Sequence, residues 1–421
     1  MLPISLDEIE LARFLFALVV LISSAHGLGY LLQRLFYIPK VIGEIGAGVI
    51  LGPTVLGYVS PAAYSWLFNA FAGEGQLIAG MYWIGLVLLM FISGFEIQKT
   101  IDQADKKLIS FLLVGATVMP FAAGWFASSV YDFSRFLGPK DNVLALSIVV
   151  AIAIAVTSIP VISKIFMDLG VMKTRFAKIV LATATIEDII LWVALAIATG
   201  LVSNEAVSMG SIAWKVFATL GLFIAALSVL PRLFEYASQS RFNVVLKSSA
   251  TGYVLLTCFI FATLASALSV NIIFGAFLAG VVVGMTSHER VSAVKSHITE
   301  LGFGFFIPLY FAVVGLKLNL LHHVDLTFLG VFLLFAVVVK MLGTALAARA
   351  AGENWLSSFN FGVAMNARGG PGIVLATVAF DFGIINEALF AVLILVALLT
   401  SAAAGYWFRY VLARRWSLMT G

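Results

Sequence analysis

Two adjacent acids, Glu187 and Asp188, stand in the middle of the apolar run KIVLATATIEDIILWVALAIATGLV (178–202). An ionised side chain at the centre of a bilayer costs about 2.5–3.5 kcal/mol on insertion scales. Two neighbouring carboxylates there need a partner, a cavity, protons or a cation. Neighbours on a helix point about 100° apart, so the two cannot face one cavity equally. Burial disfavours a bare carboxylate, and a cation or a basic partner favours it. An acid held between those forces can trade a proton for a metal ion. Asp188 is the first candidate for that carrier; Glu187 is either a second carrier or a structural anion. Two basic residues also lie in apolar surroundings, Lys340 and Arg368. Lys340 is too deep in TFLGVFLLFAVVVKMLGTALAARAAG (327–352) to snorkel, and a buried pair with Glu187 or Asp188 is its least costly solution. Arg368 stays charged and offers five donors, which suits it to carbonyls freed by a helix break. Asn366 beside it can donate and accept. Thr157 and Ser158 bring hydroxyl oxygens, the ligand type that hard cations such as sodium or potassium prefer. Few buried charges, acids set against bases, imply ion transport rather than chemistry on an organic substrate.

The elements that must position these residues are membrane spans. The chain has 421 residues, of which 62% are hydrophobic and 11% charged. A soluble domain carries roughly 25% charged residues. Mean hydropathy is +1.08. The expected class is an all-α polytopic membrane protein. The net charge of +4 implies no nucleic-acid partner, because the basic residues fall in short loops. The single cysteine, Cys258, excludes an intrachain disulfide and a cysteine metal cluster. The acidic start MLPISLDEIE lacks the basic region of a cleaved signal peptide. The chain ends soon after its last apolar run, so no appended soluble module is expected.

Hydropathy yields about thirteen spans, each near the roughly 20 residues that crossing requires. They are expected at 12–33, 38–57, 79–98, 108–128, 143–167, 174–200, 211–231, 247–268, 270–285, 301–319, 325–349, 355–381 and 388–411. Lys and Arg alternate between the connections. Arg34 and Lys40; Lys99, Lys106 and Lys107; Lys173 and Arg175; Arg232, Arg241 and Lys247; Arg290 and Lys295; Arg349; and Arg409, Arg414 and Arg415 fall on one side. The other side holds little beyond Arg135, Lys140 and Lys317. The positive-inside rule makes the rich side cytoplasmic. The N-terminus is then outside and the C-terminus inside, which an odd span count requires.

The chain also resembles itself. GEIGAGVILG (43–52) is similar to FGAFLAGVVVG (274–284). Each is followed by a Gly-hydrophobe-charge-hydrophobe step, GFEI (94–97) and GLKL (315–318). Two spans later each half carries an interrupted helix, AIAVTSIPVIS (153–163) and VAMNARGGPGIVL (363–375). Pro160 removes a backbone donor, and Gly369, Gly370, Pro371 and Gly372 form a stronger breaker. Matching broken helices in two halves are the best sequence pointer to a transporter binding site. Each half holds five spans, so the second enters the membrane inverted. Repeat one is expected at about 38–200, linking helices at 211–268 and repeat two at about 270–411, within one membrane unit over 1–421. Glu44 and Glu96 lie toward span ends, as entry-funnel or interface residues. Asp381 reads as solvated. His26, His288, His297, His322 and His323 have no metal-ligand spacing, and His26 within a span reads as a packing residue.

These segments together resemble the monovalent cation/proton antiporter superfamily, in its branch of bacterial sodium/proton and potassium/proton exchangers with a Kef/Nha-like membrane domain. The similarity covers nearly the whole chain. It is carried by VIGEIGAGVILGPTVLG (41–57), AIAVTSIPVISKI (153–165), ATIEDIILW (184–192), FFIPLYFAVVGLKL (305–318) and MNARGGPGIVLATVAFDFGII (365–385). The resemblance implies an NhaA-like antiporter fold with crossed, broken helices. It implies a moving core from about 79–200 and, in part, 301–411, and a fixed scaffold that forms a homodimer. It places the ion-binding aspartate on Asp188, the crossing-helix Thr-Ser on Thr157 and Ser158, and the core lysine on Lys340. The family's doublets are Asp-Asp, Asn-Asp or Gln-Asp. Glu-Asp departs from all three, so cation choice and stoichiometry stay open. A ligand-gated potassium-efflux system would need its nucleotide-binding module from a separate subunit. The expected function is therefore exchange of sodium or potassium for protons by elevator-like alternating access in a bacterial inner membrane, without a cofactor. The alternatives are a channel or uniporter on the same scaffold and, more remotely, an intramembrane enzyme, which would want two acids facing each other from separate helices.

Overall fold

The computed structural model of the chain describes residues 7–36, 39–95, 105–202, 209–286 and 288–419. In chain order its α-helices are α1 (Glu8–Phe36), α2 (Lys40–Leu51), α3 (Leu56–Val59), α4 (Pro61–Phe68), α5 (Glu74–Phe95), α6 (Lys106–Leu113) and α7 (Met119–Val130). Then come α8 (Val143–Ala155), α9 (Ile159–Asp168), α10 (Arg175–Leu201), α11 (Met209–Ser228), α12 (Leu230–Gln239), α13 (Val244–Ser248), α14 (Ala250–Ala267) and α15 (Ile272–Gly284). The last are α16 (Glu289–Leu301), α17 (Ile307–Leu316), α18 (Leu320–His323), α19 (Leu326–Ala350), α20 (Trp355–Met365), α21 (Gly369–Asp381) and α22 (Glu387–Ala413).

Among the described residues, 9 helical runs are long and apolar enough to cross a membrane, or 10 if α11 and α12, bent by 48°, form one span. The apolar helices α8 and α15 are shorter. The expected spans 143–167 and 355–381 are each two helices with a three-residue break. The run expected at 301–319 begins earlier, at Glu289, because polar α16 continues into it. Glu96 and part of the GFEI step lie outside the described residues.

Two π-helical turns have a common cause. Val114–Val118 joins α6 to α7 and Gly302–Phe306 joins α16 to α17. Each stands just before a proline, Pro120 or Pro308. Proline lacks the N–H of the helical ladder and its ring crowds the carbonyl four residues back; a π-turn widens the ladder there. For Pro308 that carbonyl belongs to Gly304, and it accepts from His26 Nε2 at 2.9 Å. His26 thus has the packing role expected of it.

Contacts divide the chain into two compact units, Met1–Leu89 with His297–Val324, and Met90–Ser296 with Asp325–Gly421. In the first, α1, α2 and α17 pack on one another. In the second, α7 packs on α8, α8 on α10, α14 on α15, α19 on α20, and α21 on α22. Close approach depends on small residues, as in membrane helices generally. Within the first unit Gly48 meets Gly315, with Ile45 and Ala312 flanking the contact. Within the second unit Gly280 meets Gly94, with Phe277 and Phe91 flanking it. These are the same positions of the two similar segments. The second unit has a third such seam, Gly115 against Gly343, where each backbone occupies the space that a Cβ on the other would need.

A short clasp joins the loops before α8 and after α21. Leu137 and Ile385 form an antiparallel bridge. Gly138 N–H donates to Ile384 O and Lys140 N–H to Gly383 O, both at 3.0 Å. Asn386 Nδ2 donates to Arg135 O at 2.8 Å.

Candidate cation site

The site lies within the second unit and is built on the two breaks. Asn142 caps α8 by accepting from Ala145 N–H at 2.9 Å. The VLALSIVVAIAIA helix, apolar but for Ser147, ends at Ala155, where Val156 turns extended. Ser158 caps α9 by accepting from Val161 N–H at 3.4 Å. The second break, Asn366–Arg368, separates α20 from α21. The two breaks then satisfy each other, as polar backbone inside a membrane must be satisfied. Ser158 N–H donates to Ala367 O at 2.6 Å. Thr157 Oγ1 donates to Met365 O at 2.6 Å. Gly370 N–H donates to Ser158 Oγ at 3.1 Å and Gly369 N–H to Ser401 Oγ at 2.9 Å. Gly369 has φ +24°, and a Cβ there would run into Val161 and come within 2.8 Å of Ser158 Oγ.

Arg368 does what its chemistry suggested. It is buried, and its Nε donates to Ala153 O at 3.0 Å, while Nη2 reaches Ile154 O at 3.1 Å and Ala336 O at 2.8 Å. Its Nη1 donates to Asn366 Oδ1 at 2.6 Å and to Asn366 O at 3.3 Å. Lys340 and Glu187, expected as a buried pair, lie 3.0 Å apart and both are fully buried. Lys340 Nζ also donates to the carbonyl of Ala155, the last residue of α8. The second oxygen of Glu187, Oε2, accepts from Thr117 Oγ1 at 3.1 Å.

Asp188 is placed differently. It is 6% exposed, where Glu187 is at 0%. It lines a small cavity with Ile152, Val156, Trp192, Pro371 and Leu375 among its walls. Leu191, Trp192 and Leu195 line the cavity too, three, four and seven residues on along α10, so one helix face supplies them with Asp188. Asp188 is the sole ionisable side chain among the lining residues. Thr157 and Ser158 do not line this cavity; the Ser158 oxygen is engaged in the breaks, and the Thr157 hydroxyl, which donates to Met365 O, is also within hydrogen-bonding reach of Glu187. The arrangement thus offers one acid at a cavity beside both breaks and a second acid locked by a base and a hydroxyl.

Three participants escape sequence reasoning. Ser401 and Thr400 on α22 hold the N-terminal turn of α21, with Arg368 N–H donating to Thr400 Oγ1 at 3.4 Å. Paired hydroxyls in an apolar run carry no signal of which helix they serve. Thr117 is the third. Its signal is the Gly115 and Pro120 that bracket it, which mark a disturbed ladder.

Comparison with known proteins agrees with this architecture. The chain is 25% identical over 391 residues to the Na(+)/H(+)-K(+) antiporter GerN of Bacillus cereus, covering 92% of this chain and 94% of that protein. It is 26% identical over 411 residues to the Na(+)/H(+) antiporter NhaS4 of Synechocystis, covering 94% and 96%. Against Cation/H(+) antiporter 18 of Arabidopsis thaliana it is 26% identical over 393 residues, which take in 91% of this chain but only 47% of that longer protein. Its fold matches that of the sodium proton antiporter MjNhaP1 from Methanocaldococcus jannaschii with a TM-score of 0.62 at 15% identity, over 94% of this chain and 96% of that one. The sequence profile described as sodium/hydrogen exchanger, transmembrane, matches residues 17–414, and the chain belongs to that family.

Proposed function

We propose that this protein is a secondary antiporter that exchanges a monovalent cation, sodium or potassium, for protons, with Asp188 binding cation and proton in turn. The observation that carries this reading is the division of labour between adjacent acids. Glu187 is bound at both oxygens, and Asp188 alone faces the cavity. A carboxylate in that place can be neutralised by a proton or by a cation, and competition for one site couples the two fluxes. Thr157, Ser158 and the carbonyls of the breaks are the neighbouring oxygens through which a cation would be passed on. GerN and NhaS4 bear antiporter names and are covered almost end to end, which supports exchange over a channel or an intramembrane enzyme.

The finer architecture belongs to the same proposal. With α11 and α12 taken as one span, the ten long spans among the described residues, the two broken helices α8–α9 and α20–α21, and α15 would make thirteen crossings. The recurrence of the Gly48–Gly315 contact as Gly280–Gly94 supports two repeats at about 38–200 and 270–411. Five crossings in the first repeat and two in the linking helices invert the second repeat; the odd total puts the termini on opposite sides, and the distribution of Lys and Arg puts the N-terminus outside and the C-terminus in the cytoplasm. The core moves like an elevator against a scaffold that forms a homodimer in the cell's inner membrane.

Proteoliposomes tested in turn with sodium, potassium and lithium gradients decide the matter. The wild-type protein is expected to move protons against at least one cation, and Asp188→Asn to abolish that flux while remaining folded. Cation flux without counter-moving protons would establish the channel reading, and robust exchange by a folded Asp188→Asn protein would remove Asp188 from the site.

A further inference from the structure

Thr117 has no task in the trading of a cation for a proton at Asp188, yet it is placed with care. It is buried within the π-turn Val114–Val118. It holds Glu187 Oε2 at 3.1 Å, while Lys340 holds Oε1 at 3.0 Å. Both holders ride on one helix seam. Gly115 of the turn meets Gly343 of α19 backbone to backbone. Thr117 comes two residues after Gly115, and Lys340 precedes Gly343 by three. The π-turn sets the direction of Thr117, because one residue added to a turn rotates the remainder of the helix by about 100°. Pro120 favours that turn, since its ring crowds the carbonyl four residues back and a widened ladder relieves the crowding. Bulge, proline and glycine seam thus converge on a single hydroxyl and a single carboxylate oxygen.

We propose that Thr117 is a positioning residue for exchange: it fixes the plane of the Glu187 carboxylate, so that this acid stays on Lys340 and Asp188 alone faces the cavity. Rotation of a carboxylate about its last bond is soft. Without the hydroxyl, Oε2 loses the donor that Thr117 supplies, and Thr157 is the remaining hydroxyl beside the carboxylate. The carboxylate is then free to turn about that bond, and its pairing with Lys340 loses its fixed geometry. A hydrogen bond to a charged group is worth about 1.5–3 kcal/mol, which is enough to decide that orientation.

The transport arm of the test rests on the antiport reading, and the stability arm does not. Thr117→Val keeps the shape and removes the hydroxyl; Thr117→Ser keeps the hydroxyl and loses a methyl. In proteoliposomes, with whichever cation the wild type exchanges, Thr117→Val is expected to lower the maximal rate roughly tenfold or more. The half-saturating cation concentration should stay within about twofold, since the cavity at Asp188 is untouched, and Thr117→Ser should restore the rate. A Val variant as fast as wild type, or a loss that Ser does not restore, would show that Thr117 only fills space and would overturn the inference. The second arm is thermal unfolding in detergent. Thr117→Val should lower the melting temperature of the wild-type protein and leave that of a Glu187→Leu, Lys340→Leu protein unchanged. Equal shifts in both backgrounds overturn the proposal as well. If the wild type exchanges no cation at all, the antiport reading falls and the unfolding cycle still decides Thr117.

Discussion

Glu187 and Asp188 share a helix, a charge type and a bilayer depth, yet one is sealed and the other faces a cavity. The difference is the rotation per residue of α10, which turns one toward α19 and the other toward the breaks. Removing one partner of a buried pair leaves the other charge uncompensated, typically at about 3–5 kcal/mol. Lys340→Ala should therefore destabilise the protein by that amount, and Glu187→Ala in the same chain should recover part of it. Unfolding in denaturant measures this cycle, and additive single-variant losses would mean that the pair carries no coupling. The charged residues are legible in the sequence because burying charge is so costly that each one demands a partner. That Lys340 pairs with one acid of the doublet, and that Arg368 sits on freed carbonyls, follow from that alone; that the acid is Glu187 does not. The hydroxyls are less legible. Thr157 and Ser158 have the chemistry of cation ligands, and in this structure both satisfy backbone across the breaks. A hydroxyl is inexpensive to satisfy locally, so its type does not name its partner.

At the scale of elements, helix seams are set by glycines whose missing Cβ lets backbones touch. Gly48, Gly280 and Gly115 each have backbone where a Cβ would go, whereas Gly221 and Gly330 face open space. Alanine at Gly48, Gly280 or Gly115 should cost about 1–3 kcal/mol or more through overpacking. At Gly221 or Gly330 it should be neutral or stabilising by up to about 1 kcal/mol, from better helix propensity. Melting temperatures in detergent of the five variants make the comparison, and five similar values would deny the seams any special role. The breaks can be placed from sequence to within a residue or two, because Pro and clustered Gly punctuate a helix whatever surrounds it. At the two π-turns and the α11–α12 bend, Pro120, Pro308 and Pro231 mark a disturbed ladder, but hydropathy does not change across them, so the form of the disturbance is not legible.

At the scale of the molecule, composition implies a membrane protein, because so few charges cannot cover a soluble surface, and apolar runs of about 20 residues make its spans helical. The pairing of copies is not legible, for a reason specific to membranes. Exposed apolar side chains on α1, such as Leu15, Phe16 and Val19, are satisfied by lipid as well as by protein. The proposed homodimer, for which the first span 12–33 and the span 247–268 are the candidate interface, is therefore to be tested in native membranes. Cysteines introduced singly on the exposed face of α1 should cross-link between copies, on a background whose own Cys258 is buried. Recovery of monomer from every position would argue for a chain that works alone.

The mutual satisfaction of the breaks also dictates how the protein can be made. The Thr157 hydroxyl donates to a carbonyl 208 residues further along the chain, and the Ala155 carbonyl waits for a lysine 185 residues away. Ribosomes add about 5–20 residues per second, so Thr157 precedes its partner by roughly 10–40 s. Throughout that interval α8 and α9 hold bare backbone groups that lipid cannot satisfy. The nascent half must therefore wait beside water or the insertion machinery rather than diffuse into the bilayer. A chain truncated between Ser158 and Met365 is left with that break unpaired, and such fragments should be less stable in the membrane than the full chain.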